Sequence, residues 1–182
     1  MAKTLTYSTL ESILRNAKPL TLRLNGYTPA ARRETEQVLK LVLKYLNLEK
    51  LSKQFGLCLH QLSSQTQELN LKRLYFSDHD LSITDPEQYD SGTKALLEEN
   101  EETRDAYMLM QKEKDLYIKI QFQTDGNEFC INLRSNCLLT GGEKDILTST
   151  VEKSTRYDSV AAALKELGES PLTLESGFLI ML

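Results

Sequence analysis

Apolar and polar residues alternate through Leu20, Thr21, Leu22, Arg23 and Leu24 and stop at Asn25-Gly26, which predicts a strand ending in a turn. Pro29 then opens a helix in which Val38, Val42, Tyr45 and Leu46 recur at helical spacing. The side carrying Arg32, Arg33, Glu34 and Glu36 is left to water. A second helix follows, with Leu51, Phe55, Cys58, Leu59, Leu62, Thr66 and Leu69 on one largely apolar stripe. Residues 72–76 read as a short strand directly after it. Asp85-Pro86 caps and starts another helix, since Asp suits the cap and Pro the first helical position. That helix is expected to run on through residues 94–114, with Glu98, Glu99, Glu101 and Glu102 forming a solvated acidic face.

The clearest local signal is a β-hairpin. Leu116, Ile118, Ile120 and Phe122 alternate with Tyr117, Lys119 and Gln121, Asp125-Gly126 supplies the turn, and Phe129, Ile131 and Leu133 alternate on the return strand. Gly141-Gly142 reads as a plain turn, followed by helices over residues 143–153 and 158–167, the second capped by Asp158 and closed by Gly168. The chain closes on an apolar run, 177–182, expected in the core; a homodimer partner is the other cover it allows. No repeat, linker or low-complexity tract interrupts these elements. They predict one domain over residues 1–182, of α+β class. The expected form is a two-layer α/β sandwich whose mostly antiparallel, mixed sheet carries helices on one face.

Composition adds limits. A chain of 182 residues with 40% hydrophobic and 26% charged residues is long enough for a core and is not of disordered composition. A formal net charge of -4 argues against a general nucleic-acid binder, which needs clustered Lys and Arg. Cys58, Cys130 and Cys137 are odd in number and lack CxxC spacing, so reduced thiols are expected rather than a disulfide framework or zinc site. Residues 1–16 carry polar groups throughout, with no apolar core of the signal-peptide kind, and no stretch is long and apolar enough to span a membrane. A cytoplasmic location is the expectation.

Residues 57–70 running into Leu71-Lys72-Arg73-Leu74-Tyr75-Phe76, then Asp85-Pro86-Glu87-Gln88-Tyr89 with Gly92, then Asp115-Leu116-Tyr117-Ile118-Lys119 before the hairpin, carry a family likeness. From about Leu20 onward the chain resembles the GHKL superfamily, the histidine-kinase-like ATPase domains, and most of all the small proteins of that type seen in spirochaetes. The resemblance implies a Bergerat, histidine-kinase ATPase-like fold. It also implies where nucleotide chemistry would sit: a helix Glu to polarise the attacking group and an Asn to hold Mg²⁺, an Asp for the adenine amino group, and a glycine loop for the phosphates.

Aligned on the LKRLYF stretch, those helix positions are Gln61 and Gln65, neither able to serve as the family's residue does. Asn136, in Arg134-Ser135-Asn136-Cys137, stands where the adenine-binding Asp is expected. The loop falls on residues 170–177, which keep one glycine, Gly177, and gain Glu175. Gln61, Gln65, Asn136 and Gly177 are thus remnants of a nucleotide site. The expected protein is a non-catalytic signalling module, more pseudo-enzyme than ATPase, without a catalytic or metal residue and with ATP and Mg²⁺ disfavoured as cofactors. Its expected partner is another protein. Two alternatives stay open: an ATP-binding kinase-like enzyme with divergent site residues, and a histidine phosphotransferase using His60. Against the latter, His60 lacks the acidic neighbour and following proline of a phosphoacceptor box and lies beside the apolar stripe. His79 with Asp78, Asp80 and Asp85 reads as a strand-to-helix loop rather than a metal site, and no GxSxG elbow or paired Cys and His suggests a hydrolase.

Overall fold

The alternation around Leu22 does form a strand, β1 (Leu20–Leu24), and the hairpin forms β2 (Ile118–Asp125) and β3 (Glu128–Ser135). The computed structural model describes residues 7–16, 18–125 and 128–154, which hold this three-stranded sheet and six α-helices. The class is α+β. Strand order is β1-β2-β3, antiparallel throughout, with Leu22 opposite Ile120 and Ile120 opposite Leu133. Because side chains alternate, this register puts every Leu, Ile and Phe of the three strands on one face. Ile118, Ile120 and Phe122 on the central strand are 0% exposed, and burying each stabilises the fold by about 2 kcal/mol. Thr21, Arg23, Gln123, Cys130 and Arg134 occupy the other, wetter face.

Three helices contribute to the core on the apolar face. Helix α2 (Pro29–Tyr45) follows α1 (Tyr7–Arg15), a helix that the hydrophobic pattern did not predict and whose Leu14 joins the core. Thr28 caps α2 by accepting from the Ala31 amide, Pro29 starts it, and Val38, Leu39, Val42 and Leu43 face the sheet. After a 3₁₀ turn, α3 (Ser52–Asp78) runs 27 residues, about 40 Å at helical rise. Its Leu59 belongs to the sheet core; Leu71, Leu74, Tyr75 and Phe76 build a second core with Leu96 and Tyr107. The short strand expected at 72–76 is therefore helix. Leu71, Leu74 and Tyr75 sit three and four residues apart, a helical face that a five-residue window cannot tell from a strand.

The long helix expected through residues 94–114 is two helices, α4 (Pro86–Glu98) and α5 (Glu101–Glu113). Glu99 and Asn100 are extended, and Asn100 restarts the chain as a cap, its side chain accepting from the Thr103 amide at 2.9 Å. Glu101 and Glu102 then lie in a first turn, where the helix dipole favours them. Helix α6 (Gly141–Ser154) begins two residues before the expected start, so Gly141-Gly142 is helix and not a plain turn. The reason is a reciprocal cap: the Glu143 amide donates to Thr140 Oγ1 at 3.2 Å and the Thr140 amide donates to Glu143 Oε2 at 2.8 Å. The expected helix at 158–167 and the apolar run at 177–182 lie outside the described residues. No helix among the described residues is long and apolar enough to cross a membrane.

Candidate functional site

One face of α3 presents Leu62, Thr66 and Leu69 at helical spacing, opposite alternate positions of β3 and its extension, Leu133, Ser135 and Cys137. Leu139, Glu143 and Leu147 from the α6 side complete the walls of a cleft of about 380 Å³. The polar groups in it are already used. Thr66 Oγ1 donates to the Leu62 carbonyl at 2.8 Å. Ser135 Oγ donates to Asn70 Oδ1 at 3.1 Å and accepts from the Cys137 amide at 3.0 Å. Buried Asn70 in turn donates to Gln111 on α5, so this chain of bonds fixes β3 and α5 to the same turn of α3. Burial pushes the Cys137 thiol above its ordinary value despite Arg73 nearby, which keeps it a protonated thiol and a poor nucleophile.

At the end of the cleft lies a buried polar cluster. Glu143 is 2% exposed and forms a two-point ion pair with Arg73, which also donates to the Leu138 carbonyl at 2.8 Å. Tyr89 of α4 donates to Glu143 Oε1 at 3.0 Å, and Lys72 Nζ donates to Tyr89 Oη at 2.8 Å. Burial alone would push the Glu143 carboxyl up. The Arg73 guanidinium, with the Thr140 amide and the Tyr89 hydroxyl, outweighs burial and holds it below 4.5. Tyr89 is shifted upward by burial and by the carboxylate beside it. This carboxylate is a structural counter-ion, since every lone pair it offers faces a donor or cation from α3, α4 or the α6 cap.

The residues singled out by the family likeness fall elsewhere. Gln61 is half-buried and Gln65 is 7% exposed, both on α3, and neither is among the residues lining the cleft. Asn136 is exposed and serves as a clamp, donating to the Asp115 carbonyl at 3.0 Å and accepting from the Tyr117 amide at 3.0 Å. It joins the end of β3 to the turn leading into β2. Gly177 lies outside the described residues, as does all of 170–177.

His79 lies just beyond the end of α3, its ring stacked on Tyr75 and its Nδ1 3.0 Å from the Tyr75 carbonyl, while Asp78 accepts from the Tyr107 hydroxyl. Among the described residues, no three His, Cys, Asp or Glu side chains are placed to hold a metal ion. His60 lies against Tyr27, with Nδ1 3.4 Å from Ser64 Oγ. The Arg73–Glu143 pair was not visible in sequence because its partners are 70 residues apart. Only the Thr140-x-x-Glu143 spacing, a capping-box signature, marked Glu143 as anything but a surface residue.

A protein of Treponema pallidum (strain Nichols), described as uncharacterized, is 27% identical over 146 residues, covering 80% of this chain. The chain spans 28% of that relative's length. No family model matches the chain, and no solved structure matches it.

Proposed function

We propose that this chain is a degenerate histidine-kinase-like ATPase domain that works without catalysis. In this reading it is a cytoplasmic signalling or regulatory module that binds a protein partner through the cleft between α3, β3 and α6. The observation that carries it is the lining of that cleft. Leu62, Leu69, Leu133, Leu139 and Leu147 dominate, no Lys or Arg lines it, and its single carboxylate, Glu143, is committed to Arg73. A nucleotide needs cations, a metal-holding oxygen and an acceptor for the base. Apolar side chains of a partner need only the leucines, and each Å² they bury contributes about 25 cal/mol. The antiparallel sheet backed by helices agrees with the family likeness at the level of class.

The test is calorimetric titration with Mg-ATP of the natural protein and of a Leu69→Trp variant, in which the larger ring fills the cleft. The expected result is no ATP affinity that the substitution alters, and no phosphate release. Micromolar binding that Leu69→Trp abolishes would make the cleft a nucleotide site and end this reading. An apolar fluorophore such as anilinonaphthalene sulfonate should bind the natural protein and lose that binding in Leu69→Trp. Unchanged fluorescence counts against the cleft as an apolar docking site.

A further inference from the structure

Around α3 from the leucine cleft, on the opposite side by helical spacing, a second groove runs between α2 and α3. It encloses about 320 Å³ and is bounded by Arg32, Glu36 and Lys40 of α2 and by Lys53, Gly56, Leu57 and His60 of α3. Three cations face one carboxylate here, in a chain whose net charge is -4. That carboxylate is taken, because Glu36 Oε1 accepts from Arg32 Nε at 2.9 Å. Lys40 and Lys53 form no salt bridge among the described residues. The groove therefore keeps an excess of two positive charges beside an imidazole.

Gly56 gives an independent reason to look here. It lies within α3, where glycine weakens a helix relative to alanine, and a side chain at this position would meet nothing within 4 Å. Neither backbone conformation nor packing requires glycine. Gly56 lines the groove, and a side chain there would project into open space. Glycine at this position leaves helix backbone bare on the groove wall at a cost to the helix that carries it, which gives a bound anion room to approach.

We infer that the α2–α3 groove binds a phosphate group, with Lys40 and Lys53 supplying the free charge and the His60 ring at its edge. Lys binds phosphate as a point charge, and the Leu57 side chain, 57% exposed, offers an apolar wall to an organic substituent. Burial holds the His60 imidazole below its ordinary value, with Arg32 adding to the effect and Glu36 opposing it. A bound dianion would reverse that balance and favour the imidazolium.

The chain has two histidines, His60 and His79, so imidazole NMR reports the groove with an internal control near the far end of α3. Inorganic phosphate and phenyl phosphate are titrated at constant ionic strength. The expected result is a saturable shift of His60 with a raised pKa, while His79 stays unmoved. Joint Lys40→Gln and Lys53→Gln substitution, both at exposed positions, should weaken binding at least tenfold, the scale of losing two charge contacts. Gly56→Ala should raise the thermal midpoint and yet weaken phosphate binding. Tighter binding of phenyl phosphate than of inorganic phosphate identifies a phosphate monoester as the ligand; equal binding identifies free phosphate. A non-saturating His60 shift, binding indifferent to the lysine substitutions, or Gly56→Ala binding as well as the natural protein would each overturn the inference. ATP held through this groove would be lost in the lysine variant and kept in Leu69→Trp, so this result and that of the cleft remain separable.

Discussion

Gly92 is the residue whose role changes most between chain and fold. In sequence it belongs to a stretch with Asp85, Pro86 and Tyr89, and nothing local requires glycine there. In the structure a Cβ there would lie 2.7 Å from Phe76 Cζ and 2.9 Å from Leu81 Cδ1, so α4 crosses α3 closely enough that only hydrogen fits. Gly92→Ala should destabilise the protein by about 1 to 3 kcal/mol through overpacking, measured by urea denaturation. Asn136 shows the reverse. Its place after the hairpin was legible, but its amide is occupied by the Asp115 carbonyl and the Tyr117 amide, partners around 20 positions away in sequence.

At the scale of elements, helix starts were more legible than helix ends. Thr28-Pro29 and Asp85-Pro86 announce α2 and α4 because a side-chain oxygen and a fixed φ act on the next three residues. Three ends share a signature that the hydrophobic pattern hides: Asn47-Leu48, Asp80-Leu81 and Asp115-Leu116. The first residue of each pair has positive φ, 57°, 52° and 54°. The leucine amide then reaches back to the carbonyl of Leu43, Phe76 or Gln111, at 2.8, 2.9 and 2.8 Å. This is a Schellman closure with Asn or Asp where glycine is commonest. The strand expected at 72–76 hides that α3 runs to Asp78 and closes through Asp80. Asp80→Gly should raise stability by about 1 kcal/mol by relieving the left-handed conformation, read as an upward shift of the urea midpoint with an unchanged slope.

Over the whole molecule, α3 spans two apolar cores, and Glu143 fastens α6 to α3 and α4. Removing its charge leaves Arg73, whose side chain is 18% exposed, without a counter-ion. Glu143→Gln should cost about 2 kcal/mol, between a lost charged hydrogen bond and a broken buried pair, measured by chemical denaturation at neutral pH. The pH dependence follows from the same pair. The folded carboxyl titrates below 4.5, its ordinary value, so its stabilisation is complete above that value and is lost as pH falls through the folded pKa. Stability of the natural protein should therefore decline more steeply than that of Glu143→Gln between pH 4.5 and lower values. Parallel slopes would mean that Glu143 is not the group responsible.

From its sequence alone this chain determines β1, the hairpin, the α2 and α4 starts and the α+β class, because each depends on side chains two to four positions apart. Alternation and capping act over that range and can be read without knowing which element packs on which. The helical state of residues 72–76 was decided by the second core, where Leu74, Tyr75 and Phe76 pack with Leu96 and Tyr107. Residues of the leucine cleft come from elements far apart in the chain, those of the cationic groove from two consecutive helices, and in neither case does a local pattern encode which faces meet. Burial, too, belongs to the folded state. It turns Glu143 from one of many acidic residues into the fastening of three helices, since a carboxylate removed from water must find its cation within the protein.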